Sequence, residues 1–210
     1  MIIIMVEVGI DLAGVKTRQT GFAILDGMEA KTKVFYSDRA IIKAVEKSNV
    51  GSFSWNKCSV VSIDAPLSNP LHGRMRVCER NLLKMGIKVF PCLFTQMAKL
   101  TERGIKLAQS LRKMGYLVIE SYPGSAQDIL GIPRKGKSLK ALQEGLVKYG
   151  ITGDVTKYGV TDHELDAITS AIVGKLYLEG KTIALGNEKE GLMIIPKQNA
   201  ILDTFNKSCG

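Results

Sequence analysis

The chain has 210 residues, 45% of them hydrophobic and 6% aromatic. This length and composition suit one α/β domain with a full hydrophobic core, and the chain is too short for a protein built from two such domains. Its 29 Lys and Arg residues exceed its 20 Asp and Glu residues, and the net charge of +9 favours a polyanionic partner, nucleic acid ahead of an acidic membrane surface. Residues 1–11 have neither the basic segment nor the cleavage site of a secretion signal, and their apolar run is too short to cross a membrane, so we expect a cytoplasmic protein without a membrane anchor.

The first third of the chain predicts a strand, a hairpin, a helix and another strand. The expected strands, in chain order, are residues 2–11, 20–27, 30–36 and 59–64. The Asp26-Gly27 pair marks the hairpin turn, Ser37 caps the short helix, and Pro66 stops the strand that ends at Asp64. A right-handed crossover would set the first and fourth strands side by side in parallel, which brings Asp11 and Asp64 to the same edge of the sheet.

The remainder of the chain combines basic helices with short apolar runs. After a loop at 66–74 we expect a basic helix through Arg76 and Arg80, a second helix at about 94–114 and a strand at 116–120. A basic loop at 131–140 then runs into a helix, and a further helix is expected at 161–179. No repeat or clear linker interrupts this order. We therefore expect one domain over residues 1–210, with a helical basic subregion at about 66–115 and a C-terminal hairpin at about 181–196.

Four acidic side chains stand out, because three of them close apolar strands and the fourth lies early in an amphipathic helix. They are Asp11, Asp64, Glu120 and Asp166. Removing a carboxylate from water costs several kcal/mol unless a partner is supplied, so acids rarely close hydrophobic strands by chance. A shared divalent metal is the partner that would serve all of them, although each acid taken singly could instead cap a turn or join a surface ion pair.

The helix at 161–179 is expected to carry Asp166 towards the strand ends. Thr161 and Glu164 fit a capping box, which makes Glu164 structural. A stripe of small side chains beside Asp166 would let the helix approach the sheet closely, and its members are Ala167, Ser170, Ala171 and Gly174. His163 lies on the same helical face as Asp166, where it could ligate metal, orient a water, contact a phosphate or remain a hydrogen-bonded surface residue.

The chemistry of these donors favours Mg²⁺ or Mn²⁺, because the set is rich in oxygen and lacks the soft ligands that zinc prefers. Asp11 is the expected bridging ligand, since the first strand is central, and Asp64 and Asp166 would complete the metal site. Glu120 or His163 would orient the ligands or carry a proton. Two ions held in this way would bind a scissile phosphate, activate a water and stabilise the leaving oxygen.

Basic residues that follow the acids in sequence are expected to hold the phosphates of a substrate. They are Lys16, Arg18, Arg74, Arg76 and Arg80. A loop cluster of Arg134, Lys135 and Lys137 could track a nucleic-acid backbone or carry solvated charge. Aromatic side chains are few, so we expect contacts directed at backbone or shape. Glu7 and Gly9 share the strand face of Asp11. We expect a salt bridge for Glu7 and a close approach of backbone or of a helix at Gly9.

Five short segments combine the candidate acids with glycines, arginines and small residues. In chain order they are GIDLAG (9–14), SIDAPL (62–67), RMRVCER (74–80), ESYPG (120–124) and HELDAITSA (163–171). Together they resemble a family of predicted nucleases, grouped as domain of unknown function 429, which is assigned to the ribonuclease H-like fold and is akin to Holliday-junction resolvases. The resemblance implies a five-stranded mixed sheet, in the order 3-2-1-4-5, with helices on both faces.

The same resemblance implies site roles. Asp11, Asp64 and Asp166 match the first-strand, fourth-strand and final-helix acids of the family, and Glu120 matches a motif position within ESYPG. A resolvase-like role would also call for a homodimer.

The leading hypothesis is a metal-dependent nuclease that cleaves phosphodiester bonds of DNA or RNA. A second interpretation is a non-catalytic nucleic-acid-binding module that keeps the acids as part of the fold or as a metal-dependent scaffold. A third is a phosphotransferase of the actin-like and sugar-kinase type, whose sheet also opens with an aspartate-containing strand and a hairpin. Those proteins use two lobes, however, and the glycine-rich adenosine-binding segment that they carry is not apparent in this sequence.

Overall fold

The computed structural model describes residues 5–48, 57–198 and 200, and the expected α/β class is confirmed. The strands are β1 (Met5–Asp11), β2 (Thr20–Asp26), β3 (Glu29–Phe35), β4 (Lys57–Asp64), β5 (Val118–Ser121), β6 (Thr152–Gly153), β7 (Thr182–Asn187) and β8 (Gly191–Pro196). The helices are α1 (Asp38–Ser48), α2 (Val77–Lys84), α3 (Gln96–Lys113), α4 (Pro123–Leu130), α5 (Leu139–Lys148) and α6 (Asp162–Leu178). The start of the strand predicted from residue 2 lies outside the described residues. None of the helices in the described ranges is both long and apolar enough to cross a bilayer.

Across the sheet the strands follow the order β6-β3-β2-β1-β4-β5-β8-β7, so the expected order of the first five strands is present inside a wider sheet. The expected count of five is wrong, since the described residues form eight strands. The hairpin of β7 and β8 joins the sheet because β8 pairs in parallel with β5, while β6 pairs with β3 at the other edge. With two residues, β6 is too short to leave a hydrophobic pattern in the sequence.

The two faces of the central strands carry different side chains, because successive residues of a strand point to opposite sides. Val8 and Ile10 of β1 lie on one face, in an apolar core that residues of α1 and α3 complete. Glu7, Gly9 and Asp11 alternate with them on the other face, which α6 covers with help from α4 and α5. The candidate acids of β1 and β4 therefore belong to the face that α6 covers.

Helix α6 touches the backbone of the sheet at two glycines. A Cβ atom at Gly9 would lie 1.9 Å from the carbonyl oxygen of Ala167, and a Cβ atom at Gly21 would lie 1.9 Å from the carbonyl oxygen of His163. The close helix approach expected at Gly9 is confirmed. Because Gly21 pairs with Asp11 across β1 and β2, this approach sets the first turn of α6 against the carboxyl end of β1.

Helix α4 departs from the expectation that the Tyr122-Pro123-Gly124 segment only ends a strand. Pro123 is the first residue of the helix, where its fixed φ suits the helix and its missing N–H removes no helical hydrogen bond. Gly131 ends the helix with a φ of 69°, in the left-handed region that glycine adopts readily. The chain thus turns directly from β5 into a helix that packs against α6.

Candidate active site

Asp11 and Asp64 are neighbours at the carboxyl ends of two paired central strands. They are the last residues of β1 and β4, and they occupy matching positions in the parallel register. Matching positions in a parallel pair point to the same face, so both carboxylates face α6. Burial, together with the negative charges of Asp11 and Asp166, raises the pKa of Asp64 well above its ordinary value. Within the described part of the chain, no side chain or backbone group makes a hydrogen bond or ion pair with the Asp64 carboxylate.

The first turn of α6 brings His163 to Asp11. The helix begins with the expected capping box, in which Thr161 accepts a hydrogen bond from the Glu164 N–H and the Glu164 carboxylate accepts one from the Thr161 N–H. His163 is the next residue after the first helical position, and its Nδ1 lies 2.7 Å from Oδ2 of Asp11. Because a carboxylate only accepts, Nδ1 is the donor, and this hydrogen bond raises the pKa of His163.

Asp166 is buried one turn further along α6, with a separate partner for each oxygen. Gln127 of α4 donates to Oδ1 through Nε2 at 2.7 Å, and Gln127 Nε2 lies 3.2 Å from Oγ1 of Thr169. Lys135 places Nζ 2.8 Å from Oδ2 of Asp166. Burial and the charge of Asp11 raise the pKa of Asp166, while Lys135 and Gln127 oppose that shift.

Lys135 reaches the acids from the loop between α4 and α5. Its Nζ also lies 3.1 Å from Oδ2 of Asp162, at the start of α6. Partial burial lowers the pKa of Lys135, but the carboxylates of Asp166, Asp11 and Asp162 outweigh it and raise the pKa above its ordinary value. The lysine therefore carries a firm positive charge among the acids.

The sequence did not predict the contacts that Gln127 and Lys135 make with Asp166. Gln127 lies on a helix that was not expected, and a glutamine carries no charge signal. The sequence left two alternatives for Lys135, a contact with a nucleic-acid backbone or a solvated surface charge, because nothing in the basic loop indicates that one of its side chains folds back onto α6. Neither contact can be inferred before α4 and the loop that follows it are placed in space.

The donor set fits a hard divalent cation in its chemistry. Asp11, Asp64 and Asp166 supply carboxylate oxygens from three elements, and Asp64 is a half-buried carboxylate between like charges without a partner among the described residues. No group of three or more His, Cys, Asp and Glu side chains in the described ranges is placed closely enough to hold a metal ion. The residue types therefore fit Mg²⁺ or Mn²⁺, and Asp166 is held by Lys135 instead.

Glu120 does not join the other acids, because it points to the opposite face of the sheet. In the register of β4 and β5, Ile63 pairs with Glu120 and Asp64 pairs with Ser121. A residue that matches Ile63 faces away from α6, since neighbouring residues alternate between faces. This placement separates Glu120 from Asp11 and Asp64, and the strand position that matches Asp64 is taken by Ser121. The expected catalytic role of Glu120 stays a prediction.

Glu120 and Arg76 instead form a buried ion pair on the other face. Arg76 is fully buried, and its two terminal nitrogens donate to the Glu120 carboxylate at 2.7 and 2.6 Å. Glu79 binds the same guanidinium at 2.9 Å, and the Leu67 N–H donates to Glu120 at 2.8 Å. With its donors occupied and no exposed surface, Arg76 is not placed to bind a substrate phosphate, so it leaves the expected set of substrate residues.

Lys16 and Arg18 lie on the connection that follows Asp11. Two adjoining pockets, of about 460 and 390 Å³, open between this connection and the start of α3. Arg18 lines the first, Lys16 lines the second, and Lys99 lines both. The side chains of these three residues make no ion pair within the described part of the chain, so their charges are available to a partner.

Arg74 and Arg80 lie on the exposed surface around α2. Arg80 donates to the carbonyl oxygen of Met75 at 2.6 Å and lies 3.5 Å from Glu190, while the Arg74 side chain has no ion-pair partner among the described residues. Their contact with a substrate stays a prediction.

The ion pair expected for Glu7 is not formed among the described residues. Glu7 is buried, and its Oε2 has no hydrogen-bond partner. Lys175 of α6 is near enough to lower the pKa of Glu7, but its ammonium pairs with Glu179 at 3.2 Å. Burial dominates and raises the pKa of Glu7 to about 7.

Comparisons with known proteins give a distant structural likeness. No family model and no curated protein matches the sequence. Two solved structures of RuvC from Thermus thermophilus are similar at 12% identity, each over 84% of this chain and 96% of that chain. The structure in complex with a Holliday junction substrate has a TM-score of 0.49, and the other has a TM-score of 0.46. Both scores are below 0.5, so support for a function comes from the residues of the site.

Proposed function

We propose that this chain is a divalent-metal-dependent nuclease that hydrolyses phosphodiester bonds of nucleic acid. The observation that carries the proposal is the in-register pairing of Asp11 with Asp64 at the ends of two central strands, beneath a helix that supplies Asp166 and His163. Three carboxylates from distant parts of the chain share one side of the sheet edge, which is the ligand chemistry that Mg²⁺ and Mn²⁺ prefer.

Asp11, Asp64 and Asp166 would hold the metal. When bound, a divalent cation there lowers the pKa of an attacking water and neutralises charge on the scissile phosphate. His163 orients Asp11 through the hydrogen bond from Nδ1 and carries a proton at the edge of the site. Gln127 fixes Oδ1 of Asp166, which leaves Oδ2 as the oxygen that is free to exchange partners.

The two basic pockets beside the β1–β2 connection would bind the phosphate backbone of the substrate next to Asp11. Lys16 and Arg18 lie on the connection that follows the strand ending in Asp11, and each lines one pocket, while Lys99 of α3 lines both. Ammonium and guanidinium groups bind phosphates without reading bases, so this surface supports binding that follows the backbone and weakens with salt. The same proposal places the chain with the ribonuclease H-like nucleases of the domain of unknown function 429 family, on the five segments that resemble that family.

A non-catalytic binding module is the second candidate, and one observation favours it. Lys135 already satisfies Asp166, and no closed set of metal ligands exists among the described residues. In such a module the acids would be held by the lysine, and the basic pockets would bind nucleic acid without hydrolysis.

The metal site is tested by calorimetric titration of the whole protein with Mn²⁺. We expect binding that Asp11→Asn and Asp64→Asn each abolish, because each removes one ligand charge while keeping the shape of the side chain. Asp26→Asn is the matched control, since it makes the same change at an exposed position at the end of β2. Wild-type affinity in both site variants would remove the metal site from the proposal.

Cleavage is tested with single-stranded, duplex, hybrid and branched nucleic acids in Mg²⁺ or Mn²⁺. We expect hydrolysis of at least one substrate, and its loss in Asp64→Asn by a factor of at least about 10². Metal binding without cleavage of any substrate would favour the binding module. Hydrolysis of ATP in place of nucleic acid would favour the phosphotransferase.

A further inference from the structure

Lys135 occupies the place beside Asp166 where a cation is needed. Its ammonium lies 2.8 Å from Oδ2 of Asp166 and 3.1 Å from Oδ2 of Asp162, so one side chain from a loop bridges two acids of α6. The lysine side chain keeps 43% of its exposed surface, whereas the Asp166 side chain keeps 7%. The acid is therefore fixed, and the cation that neutralises it lies at the mouth of the site.

The two oxygens of Asp166 differ in how easily their partners can be exchanged. Gln127 is buried and its amide is held by both Asp166 and Thr169, so Oδ1 keeps its donor. Lys135 is the partner of Oδ2, and its long side chain leads out to solvent. A divalent cation that binds Asp166 at Oδ2 therefore competes with the ammonium group of the lysine.

The loop that carries Lys135 is anchored next to it. Arg134 donates from Nε to Oδ1 of Asp128 at 2.7 Å, and its guanidinium lies over the Tyr122 ring at 5.9 Å from the centroid. This anchor lets the Lys135 side chain leave Asp166 while the backbone of the loop stays in place. Asp162, at the exposed end of the site, remains within reach as a partner for the released ammonium.

We infer that Lys135 is an internal counter-ion of the site, which holds Asp166 in the metal-free protein and competes with the divalent metal for Oδ2. The inference rests on the proposed function, because the metal is the competitor. While no metal is bound, the lysine stabilises the nearby carboxylates of Asp11, Asp162 and Asp166. Its competition also sets the metal concentration at which the site becomes occupied. It is a positioning residue that acts through Asp166.

The test compares Lys135→Met with wild type and with Lys137→Met, which removes the same charge from an exposed position of the same loop. Two quantities are measured on the full chain: the Kd for Mn²⁺ by calorimetry, and the midpoint of thermal unfolding in EDTA and in Mn²⁺. We expect Lys135→Met to bind Mn²⁺ about three- to tenfold more tightly than wild type, because the competing ammonium is gone. We also expect its midpoint to fall in EDTA and to recover in Mn²⁺, with Lys137→Met close to wild type in both.

Lys135→Arg is the second variant, and it keeps the positive charge and its reach. We expect its Mn²⁺ affinity to stay near that of wild type, which separates loss of charge from loss of a loop contact. Equal Mn²⁺ affinity in wild type and Lys135→Met would overturn the inference and leave the metal site standing. Absence of Mn²⁺ binding in wild type and in every variant would instead overturn the proposed function, and the competition with it.

Discussion

At the scale of single residues, Glu7 is a buried acid whose carboxylate lacks the ion pair expected for it among the described residues. It lies four residues before Asp11 on the same face of β1, with 5% of its surface exposed and one carboxylate oxygen unpaired. Burial raises its pKa from 4.5 to about 7. The neutral acid is thus the form that the fold accommodates at low pH, and its ionisation works against folding.

Glu7 is expected to make the protein less stable as the pH rises. The pKa of Glu7 is higher in the folded protein than in the unfolded chain. Its contribution to the free energy of unfolding is therefore fully present below pH 4.5 and is lost as the pH rises through about 7. The loss is at most about 3 to 4 kcal/mol. Urea unfolding between pH 4.5 and 8.5 should show this fall in wild type and a flatter profile in Glu7→Gln. Glu29→Gln, at an exposed position of β3, serves as the control, and a fall that persists in Glu7→Gln would assign it to other groups.

Strand alternation explains which acids could be predicted from the sequence. Asp11 and Asp64 each end an apolar strand, and the crossover rule alone sets their strands side by side. Glu120 also ends an apolar run, but the register of β4 and β5 puts it opposite Ile63 and therefore on the far face. That register depends on where β5 begins to pair, which no local pattern specifies.

At the scale of elements, the contact of α6 with β1 positions the site. The helix rests on Gly9 where the Ala167 carbonyl lies, and four residues earlier His163 reaches Asp11. Any shift of the helix away from the sheet moves His163 and Asp166 away from Asp11 together. We therefore expect stability and the proposed metal affinity to be coupled through this packing.

Gly9→Ala is expected to weaken both properties. Its Cβ would meet the Ala167 carbonyl oxygen at 1.9 Å, which forces the helix outwards and costs about 2 kcal/mol or more of unfolding free energy. Denaturant unfolding and Mn²⁺ calorimetry measure the two effects. Gly14→Ala is the matched control, because its Cβ would meet its nearest neighbour, the Leu100 nitrogen, at an ordinary 3.4 Å. A destabilised Gly9→Ala protein that keeps its Mn²⁺ affinity would contradict the coupling.

Long elements with a regular pattern were predictable, and short ones that depend on neighbours were not. The capping box at Thr161 and the small stripe specify α6 locally. By contrast, α4 has eight residues and opens with Pro-Gly, and β6 has two. Segments this short acquire their conformation from pairing and packing with distant residues, which the sequence does not specify.

At the scale of the whole molecule, the charge is distributed so that only part of it is free. Several basic side chains form ion pairs within the protein, as Arg76 does with Glu120 and Lys135 does with Asp166. Lys16, Arg18 and Lys99, which line the pockets beside the β1–β2 connection, form no ion pair with another described residue. The net charge of +9 therefore overstates the surface that a nucleic acid can contact, and the free groups near Asp11 define it better.

Nucleic-acid binding is expected to depend on salt through those free groups. Each phosphate contact contributes about 0.7 to 0.9 to the slope of log Kd against log salt concentration, so Lys16→Gln with Lys99→Gln should lower that slope by about 1.4 to 1.8. Fluorescence anisotropy with a labelled oligonucleotide at several salt concentrations, in EDTA to prevent cleavage, measures it. Lys31→Gln with Lys33→Gln removes the same charge from β3 and should leave the slope within about 0.5 of wild type, since those lysines lie beside α1. Equal reductions in the two double variants would mean that charge spread over the molecule, and not the surface beside Asp11, binds the backbone.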